Sequence, residues 1–204
     1  MDTILAFAAA LVSLRLAADL VRRARARTSP ELVAWAAALV AYAAASSALA
    51  AGAAGGWHDA TFRIYYLCGG LLTAPLLGIG SLLRVGFRRA TPVGLIYSGV
   101  AVGVAVAMPL TRVVGGTGIP SAQGHLDVFP ARALAIAGNS LGTLFVVAVA
   151  LATIRRRPVG NVLILAGVSV AALGSSLTGL GEGGTSASFA VAAALLYAGV
   201  VATR

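Results

Sequence analysis

The stretch IYYLCGGLLTAPLLGIGSLL, Ile64 to Leu83, decides the fold: 20 residues without a charged side chain, followed at once by Arg84. Roughly 20 apolar residues cross the hydrocarbon core of a bilayer as a helix. No water is present there to bond the backbone, so each N–H and C=O must be satisfied within the segment, and helix is the default. The pattern recurs on both sides of this stretch. Residues 32–57, 90–111, 133–154, 158–181 and 183–203 also lack Asp, Glu, Lys and Arg, and residues 3–21 are interrupted only by Arg15 and Asp19. The runs predict an all-α, polytopic membrane protein. The expected architecture is one domain, 1–204, a bundle of seven transmembrane helices at 3–21, 31–53, 63–83, 91–110, 132–153, 159–178 and 187–203. Composition agrees: 59% of residues are hydrophobic and 10% charged, against about 25% charged in a soluble domain.

Arginine placement orients the bundle. All 15 basic residues are Arg. Arg22, Arg23, Arg25, Arg27, Arg84, Arg88, Arg89, Arg155, Arg156, Arg157 and Arg204 fall on one side, whereas Arg63, Arg112 and Arg132 share the other with Asp59, Asp127 and Glu182. Positive residues stay in the cytoplasm, so the N-terminus is expected outside and the C-terminus inside, in a bacterial cytoplasmic membrane. The start, MDTILAFAAALVSL, lacks the basic region of a secretory signal peptide and reads as a retained first helix. The net charge of +9 then records topology, with anionic lipid headgroups as its partner. A nucleic-acid partner is not expected, because no segment builds a soluble basic face. One cysteine, Cys68, permits no internal disulfide.

Three helices that leave the cytoplasmic side begin alike, RARTSPELVAW, RRATPVGLIYSG and RRRPVGNVLILAG, with Pro30, Pro92 and Pro158 near the first turn. Proline is tolerated there because its missing N–H would have had no partner. A duplicated helix triplet and convergence on common membrane-helix features both account for the likeness. Small residues recur at every fourth position: Gly70, Ala74 and Gly78; Gly99, Gly103 and Ala107; Gly138 and Gly142; Gly167, Ala171 and Ser175. Such stripes let helices approach closely in lipid, so the third to sixth helices are expected to use them as inner faces. Pro75 should disturb its helix, freeing the Leu71 carbonyl to accept from Thr73 or a neighbouring helix.

Polar residues inside the runs are the candidate sites. Arg63, Tyr65 and Tyr66 open the third helix, where an aromatic belt with Trp57 and a snorkelling arginine is one reading. A ligand contact is the other, since Tyr65 and Tyr66 point about 100° apart and both do not easily face lipid. By helical rise, Ser46, Ser47, Tyr65, Tyr66, Asn139, Ser140, Ser175 and Ser176 all lie about 5–13 Å inside the outer boundary. They predict either a layer of interhelical hydrogen bonds or the floor of a cavity open to the outside. Arg63, Tyr65, Tyr66, Asn139, Ser140, Ser46, Ser175 and Ser176 are therefore the candidate ligand-binding set. Arg15 and Asp19, spaced i, i+4, read as a self-neutralising pair. His58 and His125, with Asp59 and Asp127 nearby, could hold a metal, but two histidines do not specify a site.

Catalytic patterns are missing. GLGEGG at 179–184 follows a membrane helix where a dinucleotide fingerprint needs a strand, and no paired carboxylates stand within the runs. No enzyme is expected, and no metal or cofactor. Retinal in particular needs a lysine for its Schiff base, and the chain has none.

Three motifs, RTSPELVAWAAAL at 27–39, GGW at 55–57 and FRIYYLCGGLLTAPLLGIGSLL at 62–83, resemble small multi-pass membrane proteins of Actinobacteria and related phyla. Those show an Ala-Trp pair, Tyr-Arg-x-Tyr-Tyr-Leu and Leu-Gly-x-Gly. Phe62 replaces the first tyrosine here, while Arg63, Tyr65, Tyr66, Leu67, Leu77, Gly78 and Gly80 match. The resemblance implies membrane topology alone. Two functions are expected from the residues. One is binding, transport or sensing of a small or lipid-like ligand from the outer side. The alternative is a non-catalytic scaffold or accessory subunit that packs against a membrane protein partner or a second copy.

Overall fold

The computed structural model describes residues 2–27, 29–116, 118–177 and 183–202, without the side chains of some, Ser175 and Ser176 among them. These residues are helical throughout apart from turns and one loop, and no strand occurs among them. The helices are α1 (Asp2–Arg27), α2 (Pro30–Gly55), α3 (Asp59–Arg84), α4 (Ala90–Ala107), the single turn α5 (Ala122–His125), α6 (Ala133–Thr153), α7 (Pro158–Leu177) and α8 (Gly183–Val201). Among the described residues, four segments are long and apolar enough to cross a membrane: α2, α3, α4 and Val128–Thr153, which is α6 with its lead-in. Shorter apolar stretches lie at Pro158–Ala171 and Ala190–Gly199.

Local chemistry sets the boundaries. Pro30 and Pro158 start α2 and α7, as expected for a residue without an N–H to lose. α4 ends at Ala107, short of the expected 110. Pro109 pushes the residue before it out of the helical region, and Met108 is extended at φ −59°, ψ 125°. α2 stops at Gly55, and Gly56 turns the chain with φ +88°.

Six helices close into a ring: α1 packs along α2, α2 on α3, α3 on α6, α6 on α7, α7 on α8, and α8 returns to α1. α4 stands outside this ring, against α3 and the lead-in at 128–132. The loop after α4 folds back as a cap. Met108, Val114 and Leu126 are buried in one cluster with Trp57, Phe62, Tyr66 and Leu71, and the Trp57 backbone N–H donates to the Gly116 carbonyl at 2.8 Å.

The small-residue stripes divide. Where α3 crosses α6, a Cβ placed on Gly78 would stand 2.7 Å from the Gly142 Cα, and one on Gly142 would strike the Ala74 carbonyl. Gly167 meets Leu196 of α8 at 2.9 Å in the same sense. The stripe on α4 corrects the expectation of inner faces throughout: among the described residues a Cβ added at Gly99 or Gly103 would meet nothing outside its own helix within 4 Å, and Ala107 is exposed. Ala90, Gly94, Ala101 and Ala105, on the other side of α4, are the residues it buries.

Candidate functional site

The middle of α3 is wound as a π-helix over Tyr66–Leu72, the YLCGGLL that follows the tyrosine pair. Pro75 explains the position. It cannot donate to Leu71, and its ring crowds the turn before it, so the helix widens ahead of it, as helices with an inserted residue do. Three carbonyls then take side-chain donors. Thr73 Oγ1 donates to the Cys68 oxygen at 2.7 Å, Asn139 Nδ2 of α6 to the Gly70 oxygen at 2.9 Å, and the Tyr97 hydroxyl of α4 to the Leu71 oxygen at 2.8 Å. An unpartnered carbonyl in an apolar surround costs about 1–3 kcal/mol. The sequence offered Thr73 or a neighbouring helix to Leu71; the neighbouring helix supplies Tyr97, and Thr73 serves Cys68.

Arg63, one turn before this region, reaches across to α4. Its Nη1 donates to the carbonyls of Ala105 at 2.8 Å and Val106 at 3.0 Å, capping the C-terminal end of α4. Those carbonyls have no partner within their own helix, and a cation there also complements the helix dipole by about 0.3–1 kcal/mol. Tyr65 is half-buried and stands edge-on to Trp57, with ring centroids 5.3 Å apart at 72°. Tyr66 is buried, stacked on Phe62 at 6.0 Å, and its ring is what a side chain at Gly70 would meet at 3.4 Å. Beyond Phe62 lies His125, 5.7 Å away. Trp57 is 1% exposed and packs on Gly52. An aromatic belt facing lipid is thus corrected to an aromatic core that joins α2, α3 and the capping loop.

The rest of the candidate set is scattered. Ser46 is buried one turn from Tyr42, whose hydroxyl it reaches. Ser47, exposed, donates back to the Ala43 carbonyl at 2.9 Å. Asn139 is occupied by α3, and Ser140 next to it is exposed. The side chains of Ser175 and Ser176 lie outside the described residues. Among the described members, Arg63 and Asn139 bond across to neighbouring helices, whereas Ser46 and Ser47 bond within α2.

A second polar cluster sits at the other end of the ring. Asp19 receives Arg23 Nε at 2.7 Å, Arg22 Nη2 at 3.3 Å and the Tyr197 hydroxyl of α8. This corrects the pairing expected with Arg15, which is exposed. Spacing allows either arginine, but an acid placed N-terminal to its base at i, i+4 is the better order, and Tyr197 draws the carboxylate to that side. Beside it, a cavity of about 20 Å³ opens at the centre of the ring, lined by Leu20, Leu39, Leu77, Val146, Ile164 and Tyr197. The volume suits one water. The hydroxyls nearest it are engaged, Tyr197 with Asp19 and Ser81 with the Leu77 carbonyl at 2.9 Å.

The residues of the resemblance meet in the structure. The Trp35 indole donates to the Leu77 carbonyl at 3.3 Å, its ring covers Gly80, and the Arg84 guanidinium lies 5.2 Å from the ring centre. The Ala-Trp and Leu-Gly-x-Gly motifs are therefore two halves of one α2–α3 contact. Sequence reasoning passed over Tyr97, Trp35 and Tyr42. Trp35 had a readable signal, since only glycine leaves room for an indole against a helix backbone; Tyr97 had none. Among the described residues, no group of three or more His, Cys, Asp or Glu stands together. Comparison of the chain with protein-family models, with curated proteins and with solved structures finds no match.

Proposed function

We propose that this chain is a seven-helix protein of the bacterial cytoplasmic membrane, N-terminus outside and C-terminus inside, that serves as a non-catalytic scaffold or accessory subunit. The helix ring with its α4 appendage and the arginine asymmetry support the topology. The observation that carries the scaffold reading is the face of α4 bearing Gly99 and Gly103, where a Cβ added at either glycine would meet no atom of another element within 4 Å among the described residues. The corresponding stripes at Gly78, Gly138, Gly142 and Gly167 are filled by neighbours. In lipid, an open small-residue face is where a further helix can approach closely enough for dispersion and Cα–H contacts to hold it.

Single cysteines replacing Arg25 and Arg157 should resist impermeant thiol reagents in intact cells, whereas one replacing Gln123 should react. Labelling at Arg157 from outside would overturn the orientation. For the scaffold role, crosslinking in native membranes followed by mass spectrometry should recover a partner helix at residues 95–107. Gly99→Leu with Gly103→Leu should abolish that product and leave the monomer's melting temperature unchanged. Crosslinks that survive both changes would sink the reading.

A second reading keeps an outer-side small or lipid-like ligand. The observation favouring it is the Trp57 indole N–H, buried beside Tyr65 and without an acceptor among the described residues. Mass spectrometry of the species retained in mild detergent separates the two readings: a small molecule lost on Trp57→Phe supports the ligand, and a protein lost with the α4 variant supports the scaffold.

A further inference from the structure

The turn between α3 and α4, VGFRR at Val85–Arg89, is built differently from the other arginine-rich turn. It is a Schellman closure of α3: the Gly86 N–H donates to the Leu83 carbonyl at 3.0 Å and the Phe87 N–H to the Leu82 carbonyl at 3.1 Å. Gly86 sits at φ +91°, the left-handed conformation this motif requires. Further bonds run from Ala90 N–H to Phe87 and from Thr91 N–H to Arg88, at 3.0 and 3.2 Å. The backbone is thereby fixed, and what it presents is a row of side chains. Val85 and Phe87 are each 50% exposed, and Arg88 and Arg89 are exposed beside them. Among the described residues neither arginine has an acidic partner, since Asp19 is taken by Arg22 and Arg23. Arg84 is held over Trp35. The turn at 154–157 carries three exposed arginines, but its one apolar residue, Ile154, is partly buried.

We propose that the turn at 85–89 docks an anionic glycerophospholipid of the leaflet it faces. Val85 and Phe87 enter the boundary between headgroups and acyl chains, and Arg88 and Arg89 rest on the phosphate. Charge selects the occupant. A basic pair with no internal counter-ion attracts an anion, and the adjoining apolar pair requires that anion to carry hydrocarbon. Insertion of Phe87 fixes the depth of the arginines, so this turn discriminates among lipids, while the turn at 154–157 feels only the average surface potential. The proposal rests on the membrane topology above and is independent of the scaffold role of α4.

The test is native mass spectrometry of the full chain in mild detergent, titrated with phosphatidylglycerol or with phosphatidylcholine of the same acyl chains. The wild type should retain phosphatidylglycerol in preference. Arg88→Gln or Arg89→Gln should each weaken that retention about fivefold, the ratio given by about 1 kcal/mol per basic residue near an anionic surface. Phe87→Ser should weaken both lipids alike. Arg156→Gln with Arg157→Gln should leave the preference in place. Equal losses from the two arginine pairs would show that charge alone attracts lipid and would overturn the site. A protein displaced by the Arg88 and Arg89 changes, with lipid retention untouched, would overturn it as well. Loss of external protection at Arg157 in the topology experiment would refute the membrane orientation separately, whatever the lipid titration shows.

Discussion

α4 and α6 carry the same signature, glycines four residues apart in an otherwise apolar helix, and the structure treats them oppositely. On α6, Gly138 and Gly142 receive Tyr97, Pro75 and the Ala74 carbonyl so closely that no side chain fits. On α4, Gly99 and Gly103 look into open space. The difference teaches that a small-residue stripe licenses close approach without dictating it. Lipid tails are as apolar as leucine, so burying such a face gains no hydrophobic free energy. The decision falls to specific bonds. Asn139 ties α6 to the Gly70 carbonyl, one residue after the stripe begins. The corresponding ties of α4, Tyr97 and the Arg63 cap, pull its opposite side onto α3.

The contrast is open to attack at its strongest point first. Gly142→Leu places a branched side chain in the Ala74 carbonyl and should cost about 3 kcal/mol or more, beyond the usual range for overpacking; loss of monodisperse protein in detergent is the expected readout. A well-folded Gly142→Leu protein would mean that α3 and α6 part without penalty. Tyr97→Phe comes next. It strands the Leu71 carbonyl at the π turn and should lower stability by roughly 1 kcal/mol, measured by denaturant unfolding in mixed micelles. An unchanged midpoint would show that another donor already serves Leu71.

Asn139→Leu should be milder, near 0.6 kcal/mol, the average for interhelical hydrogen bonds in membranes. Combined with Tyr97→Phe it should exceed the sum of the two, because both bonds hold the same turn; strict additivity would dissolve the idea of a single joint. Gly103→Leu should sit at the bottom of the scale, within about 0.5 kcal/mol of wild type, as surface changes usually do. A large destabilisation there would reveal that the open face of α4 is packed in the purified protein.

Much of this contrast was invisible in the chain. The helices themselves were legible. Charge-free runs bounded by Arg, Pro or Gly gave the four long apolar helices to within a few residues, and Pro75 marked where α3 would be disturbed; the first helix, expected to end at 21, continues to Arg27. The candidate site was legible only as a list. Arg63 caps a helix 42 positions away, Tyr66 packs on its own helix's Gly70, and Asn139 finds a carbonyl 69 positions distant. The sequence shows that a buried polar group needs a partner, and in a bundle many partners lie at the same depth.

The sequence by itself determined where the chain is helical, where it turns, and which end gathers the arginines. These follow from rules that act within about one turn or at the water boundary: backbone bonds satisfied locally, proline without a donor, charge kept out of hydrocarbon. The tertiary structure alone decided which glycines would be filled, which carbonyls of the π turn Tyr97 and Asn139 would take, and that Asp19 would bond Arg23 and Tyr197 in preference to Arg15. Those choices lie between arrangements with the same spacing and the same apolar content, so only the geometry of neighbouring helices separates them in energy.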